Sequence, residues 1–117
     1  MIRVAVDAMG GDNAPVEMVA GAVEAVKKKP EIQVLFVGQE KTVQEELSKY
    51  TYDKEKIQVV NASEVIATEE PPVNAIRKKK DSSIVVGMNL VKNGQADAFV
   101  SAGSSGAILV GGQVIVG

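Results

Sequence analysis

The stretch Ile2-Arg3-Val4-Ala5-Val6-Asp7-Ala8-Met9-Gly10-Gly11-Asp12-Asn13-Ala14-Pro15 decides the fold. Ile2 to Asp7 is a short apolar run, too short for a helix and rich in valine, so it predicts a strand. Gly10 and Gly11 make a tight corner, and Pro15 suits the first turn of a helix with Asn13 or Ala14 at its cap. Val16, Val19, Ala20, Val23 and Val26 then recur at helical spacing, with Glu17, Glu24 and Lys27 turned outward. Lys27-Lys28-Lys29 suits the negative end of that helix, and Pro30 stops it. Strand, glycine corner and helix start place unpaired backbone N–H groups around one point, where the helix dipole favours negative charge.

The unit repeats along the chain. Ile32 to Val37, closed by Gly38, predicts a second strand, and Val43, Leu47 and Tyr50 mark a second helix. Ile57 to Val60 predicts a third strand. Asn61 to Thr68 reads as loop, with a short strand at Val65-Ile66 the alternative. Pro71-Pro72 opens a short helix running through Lys79, and Asp81 or Ser82 can cap the next. Ile84, Met88 and Val91 form the buried stripe of that helix, and Gly94 ends it. Asp97 to Ser101 predicts a fourth strand, and Ser104 onward a helix apolar nearly all round. Strands alternating with helices imply crossovers, hence an α/β fold: a parallel sheet with helices on both faces. Ligands of such sheets sit beyond the carboxyl ends of the strands.

Composition narrows the chemistry. The chain has 117 residues, 45% hydrophobic but only 3% aromatic, so its core is aliphatic. Few aromatics and a net charge of −2 argue against single-stranded nucleic acid and against a general attraction to anionic surfaces. There is no cysteine, which removes disulfides, thiolate metal sites and a thiol nucleophile. There is no histidine, which removes the usual general base. No metal or cofactor is expected; the chemistry left is positioning and electrostatics by Asp, Lys, Ser, Asn and backbone dipoles. The first apolar run is broken by Arg3 and Asp7, and Ala107 to Val116 is too short to span a bilayer, so a cytoplasmic location is expected.

Two corners carry the candidate site. Gly10, Gly11 and Asn13 can approach and donate to an anion, although the same residues serve a plain βα turn. Asp12 beside a phosphate could orient a hydroxyl, pair with a lysine or hold a metal, and the sequence does not choose among these. Ser101-Ala102-Gly103-Ser104-Ser105-Gly106 places three hydroxyls and two glycines at a helix start, which favours anion binding. It is not a Walker loop, because Gly112-Gln113 stand where Lys-Ser/Thr are required, and no G-x-G-x-x-G follows the first strand. Arg77-Lys78-Lys79-Lys80 is either a solvated helix end or a face for an acidic partner or phosphate, and Ser82-Ser83 begin the helix beyond it. Asp7 ends the first strand, as a functional carboxylate or as a turn former. Asp97 lies at the opposite edge and is expected to be structural.

Four ordered motifs resemble the bacterial phosphate acyltransferase family of fatty acid and phospholipid synthesis (PlsX). They are Val4-Ala5-Val6-Asp7-Ala8-Met9-Gly10-Gly11-Asp12; Ala62-Ser63-Glu64-Val65-Ile66; Pro72-Val73-Asn74-Ala75-Ile76-Arg77-Lys78-Lys79-Lys80-Asp81-Ser82-Ser83; and Ala96-Asp97-Ala98-Phe99-Val100-Ser101-Ala102-Gly103. Asn13 stands where the family usually has His, and Ser104-Ser105 where it has Asn-Thr. The resemblance implies a fold similar to phosphotransacetylases and the isocitrate dehydrogenase group. It covers about the amino-terminal third of a typical member, so residues 1–117 are expected to form one α/β domain, part of a larger catalytic domain.

The implied reaction moves a fatty acyl group from acyl-acyl carrier protein to inorganic phosphate, giving acyl phosphate. The resemblance also implies a homodimer, peripheral membrane association and delivery of product to a membrane glycerol-phosphate acyltransferase. On that reading Gly10, Gly11, Asn13, Ser82, Ser83, Ser101, Gly103, Ser104, Ser105 and Gly106 bind phosphate or substrate, and Asp12 and Lys80 are the catalytic candidates. The rival expectations are a phosphotransacetylase-like enzyme using acyl-coenzyme A and a non-enzymatic phosphate-metabolite-binding domain.

Overall fold

A computed structural model describes residues 2–10, 14–66 and 71–101. Four strands form one parallel sheet: β1 (Ile2–Asp7), β2 (Ile32–Gly38), β3 (Ile57–Asn61) and β4 (Ala98–Val100). Their spatial order is β3-β2-β1-β4, so the chain winds outward from β1 to β3 and then returns to the far side of β1. The helices are α1 (Val16–Lys28), α2 (Glu40–Leu47), α3 (Pro72–Lys78) and α4 (Ser83–Lys92). The predicted α/β class, with a parallel sheet and helices on both faces, is what the chain adopts.

Alternation along the strands sorts the core into two layers. On one face Val6, Val34, Phe36 and Ile57 pack with Val19, Val23 and Val26 of α1 and Val43 and Leu47 of α2. On the other, Ala5, Leu35 and Val37 meet Val86, Leu90 and Val91 of α4. Ile76 of α3 packs with Ile84 and Met88 of α4 and extends this second layer. Strands covered on both faces must be apolar at successive positions, which is why they read as continuous runs rather than alternating ones.

Element ends differ from the sequence reading where local chemistry decides. Pro15, not Ala14, occupies the cap of α1, and no side chain there accepts a hydrogen bond; Asn13 lies outside the described residues. Tyr50 was expected on α2, but the helix closes at Leu47. A tightened turn follows, with Lys49 N–H on Glu46 O at 3.2 Å and Tyr50 N–H on Leu47 O at 3.0 Å. The Tyr50 ring still packs on the first core layer. Val65-Ile66 is not a strand; a single parallel bridge between Glu64 and Ser82 takes its place. Helix α3 ends one residue early, with Lys79 as its C-cap. Ser82 does cap α4, its hydroxyl accepting from Val85 N–H at 3.2 Å. Gly94, at φ 76°, makes the left-handed turn that ends the same helix. The apolar helix expected from Ser104 lies outside the described residues.

The amino edge of the sheet is pinned by the residue expected to be structural. Asp97 accepts Arg3 N–H at 2.8 Å and returns its own N–H to Arg3 O at 2.7 Å, while Arg3 Nη2 donates to Gly94 O at 2.8 Å. These bonds fix β4 against β1, and so they set where β4 ends at the opposite edge.

Candidate active site at the carboxyl edge

The strand order reverses at β1, with β2 on one side and β4 on the other. In a doubly wound sheet this switch point opens a crevice, because successive connections leave in opposite directions. The corner after β1 and the corner after β4 both begin there, on neighbouring parallel strands. Val6 is in register with Val100, so Asp7 and Ser101 are the next residues of each chain.

Asp7 joins the two corners. Its side chain is 1% exposed. Oδ1 accepts Met9 N–H at 3.0 Å and Oδ2 accepts the Ser101 hydroxyl at 2.7 Å. Ala8 N–H reaches Val37 O at 2.9 Å, which holds the first corner onto β2 as well. Gly10 is buried just beyond. Met9 lies across the end of β2, where a Cβ on Gly38 would come within 2.8 Å of Met9 Cγ. Gly38 is therefore needed for close approach rather than for an unusual backbone angle.

The other predicted site residues are placed as follows. Ser82 and Ser83 are buried at 0% and 1% exposure. The Ser82 hydroxyl caps α4, Ser82 N–H bonds Lys79 O at 3.1 Å, and Ser83 N–H bonds Glu64 O at 3.1 Å. Through these bonds the pair fastens the start of α4. Lys80 is exposed in the turn before α4, and Arg77 and Lys78 are exposed on α3. Lys79 is half-buried, its Nζ donating to Val65 O at 2.9 Å. Gly11, Asp12, Asn13, Gly103, Ser104, Ser105 and Gly106 lie outside the described residues.

Two contacts had no signature in the sequence. Asn61 Oδ1 accepts Glu40 N–H at 3.0 Å, satisfying the first turn of α2 from the end of β3. Asp81 Oδ2 accepts both the hydroxyl of Ser63, at 2.5 Å, and its N–H, at 2.9 Å, tying the loop after β3 to the turn that carries Lys80. Ser63 was marked beforehand by its motif position and Asp81 also as a candidate cap of α4, a role Ser82 takes, with nothing to indicate that the two touch.

The Ser63 hydroxyl, and then its amide, hold the Asp81 carboxyl below its usual range; Arg3 N–H is the first cause of the same effect at Asp97. A carboxyl lowered in the folded state stabilises above its unfolded value and loses that contribution as pH falls through the lower folded value. The intact protein is expected to weaken in urea as pH drops below about 4. Asp81→Asn should flatten part of that slope; an unchanged slope would show that the Ser63–Asp81 tie contributes nothing.

Fold and site together define a doubly wound parallel α/β protein whose candidate ligand crevice lies between β1 and β4, at the glycine corner and the serine corner. Comparison with known proteins narrows the class. The family model described as "Fatty acid synthesis protein" matches residues 2–117, and the chain belongs to that family. It is 53% identical over 116 residues to the phosphate acyltransferase of Clostridium beijerinckii, covering 99% of this chain and 35% of that protein. It is 53% identical to the phosphate acyltransferase of Syntrophomonas wolfei, with 99% and 36% covered, and 47% identical to that of Clostridioides difficile, with 99% and 34% covered. The chain thus spans about a third of the length of the curated relatives it matches. Among the described residues no helix is long and apolar enough to cross a membrane.

Proposed function

We propose that this chain is part of an enzyme that transfers a fatty acyl group from acyl-acyl carrier protein to inorganic phosphate, yielding acyl phosphate and the free carrier thiol. The observation that carries the reading is the neighbouring origin of the two corners at the switch point, joined by the 2.7 Å Ser101–Asp7 bond. Relatives named phosphate acyltransferase support the same reaction class. In this reaction a phosphate oxygen attacks the thioester carbonyl, the new C–O bond forms and the C–S bond breaks. Phosphate is already nucleophilic at neutral pH and a thiolate leaves readily, so the reaction does not require a histidine from this chain.

What the protein must supply is a grip on the phosphate and donors for the tetrahedral oxyanion. In the proposal, Gly10 to Asn13 and Ser101 to Gly106 provide these through main-chain amides and the hydroxyls of Ser104 and Ser105, the Ser101 hydroxyl being given to Asp7. Lys80 adds positive charge, and the exposed Arg77–Lys80 run receives an acidic carrier protein. Homodimer formation, peripheral membrane association from the cytoplasm and delivery of the product to a membrane glycerol-phosphate acyltransferase belong to the same proposal.

The test is thiol release by the intact protein from an acyl-carrier thioester, with and without phosphate, with hydroxylamine trapping of the acyl phosphate. Release that saturates with phosphate is the expected result. Release independent of phosphate would overturn the reading, and faster turnover of acyl-coenzyme A than of the carrier thioester would transfer it to a phosphotransacetylase-like enzyme.

A further inference from the structure

Asp7 is a buried carboxylate whose two oxygens serve two different segments. Oδ1 takes the amide of Met9, in the corner after β1, and Oδ2 takes the hydroxyl of Ser101, which opens the corner after β4. At 1% exposure the group has lost almost all contact with solvent, so its oxygens depend on such donors for their hydrogen bonds. A turn former would need only the Met9 amide. The bond to Ser101 spans 94 residues and adds nothing to the local turn.

The direction of that bond matters. A carboxylate accepts only, so the proton in the bond is the Ser101 hydroxyl's own. While the bond stands, that proton points back into the sheet, and Ser101 meets other groups through its oxygen lone pairs. A negative charge is also unsuited to hold an anion itself. Asp7 is therefore suited to holding the protein's own donors rather than the anion.

We propose that Asp7 is a positioning residue: by holding the Met9 amide and the Ser101 hydroxyl at once, it sets the spacing of the two corners around phosphate. This rests on the phosphate reading given above. A displacement of about 1 Å in such a site is enough to cost up to about a hundredfold in rate. The effect of Asp7 should reach the reaction through Ser101 and should concern phosphate, not the acyl donor.

The experiment is a kinetic cycle on the intact protein with Asp7→Asn, Ser101→Ala, the double variant and Ser101→Thr, each checked for folding by urea denaturation. Asn keeps the shape and can still accept the Met9 amide, but its NH2 in place of the second carboxylate oxygen can only donate, so the Ser101 hydroxyl can no longer give its proton there. Asp7→Asn and Ser101→Ala should each lower kcat/KM for phosphate by about tenfold or more, with the acyl-donor KM unchanged. The double variant should be no more than about threefold worse than the poorer single, because both remove one interaction. Ser101→Thr, which keeps the hydroxyl, should recover most of what Ser101→Ala loses. Wild-type phosphate kinetics in Asp7→Asn, or fully multiplicative losses in the double variant, would overturn the proposal while leaving the phosphate reading intact. Should Asp7→Asn not fold, equal activity of Ser101→Ala and Ser101→Thr would overturn it instead. A wild-type enzyme indifferent to phosphate would remove the underlying reading.

Discussion

Phe36→Ala is expected to destabilise the intact protein by about 3–5 kcal/mol, the usual cost of emptying a large buried aromatic site. Phe36 has 0% exposure and sits on β2, in register with Val6 on one side and Val59 on the other. It is one of only two phenylalanines in the chain, and it fills the layer between the sheet and helices α1 and α2. The surrounding side chains are mainly valines, which are short and stiff at χ1 and cannot swing in to fill the space. Urea denaturation should show a lower midpoint at unchanged slope. A loss below about 1 kcal/mol would mean that the layer collapses freely and is not packed as described.

Gly87→Ala should destabilise by about 1–3 kcal/mol through overpacking, and it should also impair the site. A Cβ on Gly87 would lie 2.2 Å from Cε1 and 2.6 Å from Cδ1 of Phe99. The Phe99 ring belongs to β4 and packs among α4 residues, so making room for the methyl group disturbs the contact between the helix and the strand. Ser101 lies two residues further on and bonds Asp7. The variant should therefore lose stability and phosphate kcat/KM together, whereas Phe36→Ala acts on the opposite face and should spare the kinetics of whatever fraction remains folded. Both effects are read from the same urea and thiol-release measurements. Wild-type stability in Gly87→Ala would mean that α4 and β4 are not in close contact.

Most of the element order was legible because its signals are local. Valine runs ended by glycine marked β1 and β2, and apolar spacing marked α1. Gly94 and Ser82 carried backbone chemistry that needs no partner far away in sequence. The misreadings fell where a distant group or an untypical cap intervened. Tyr50 has the spacing of a helical residue, yet it reaches the same core layer from a tightened turn. By contrast, the described residues after β3 are loop as expected, and the strand alternative at Val65-Ile66 gives way to one bridge between Glu64 and Ser82. Ser82 and Ser83 were legible as the start of a helix, but not the distant partner that Ser83 N–H finds at Glu64 O, which depends on where the loop after β3 runs.

By itself the sequence determined an aliphatic parallel α/β chain, the two corners that could face an anion, and the resemblance to a family. These depend on residue type and short-range period, which act within one or two turns of chain. Only the tertiary structure decided that β4 returns to the free side of β1 instead of extending the sheet beyond β3. The same folding brought Ser101 onto Asp7. Parallel strands of like composition can pair in several orders. The one adopted depends on which faces the helices cover, through long-range packing of Ala5, Leu35 and Val37 against α4 and of Phe99 against Gly87.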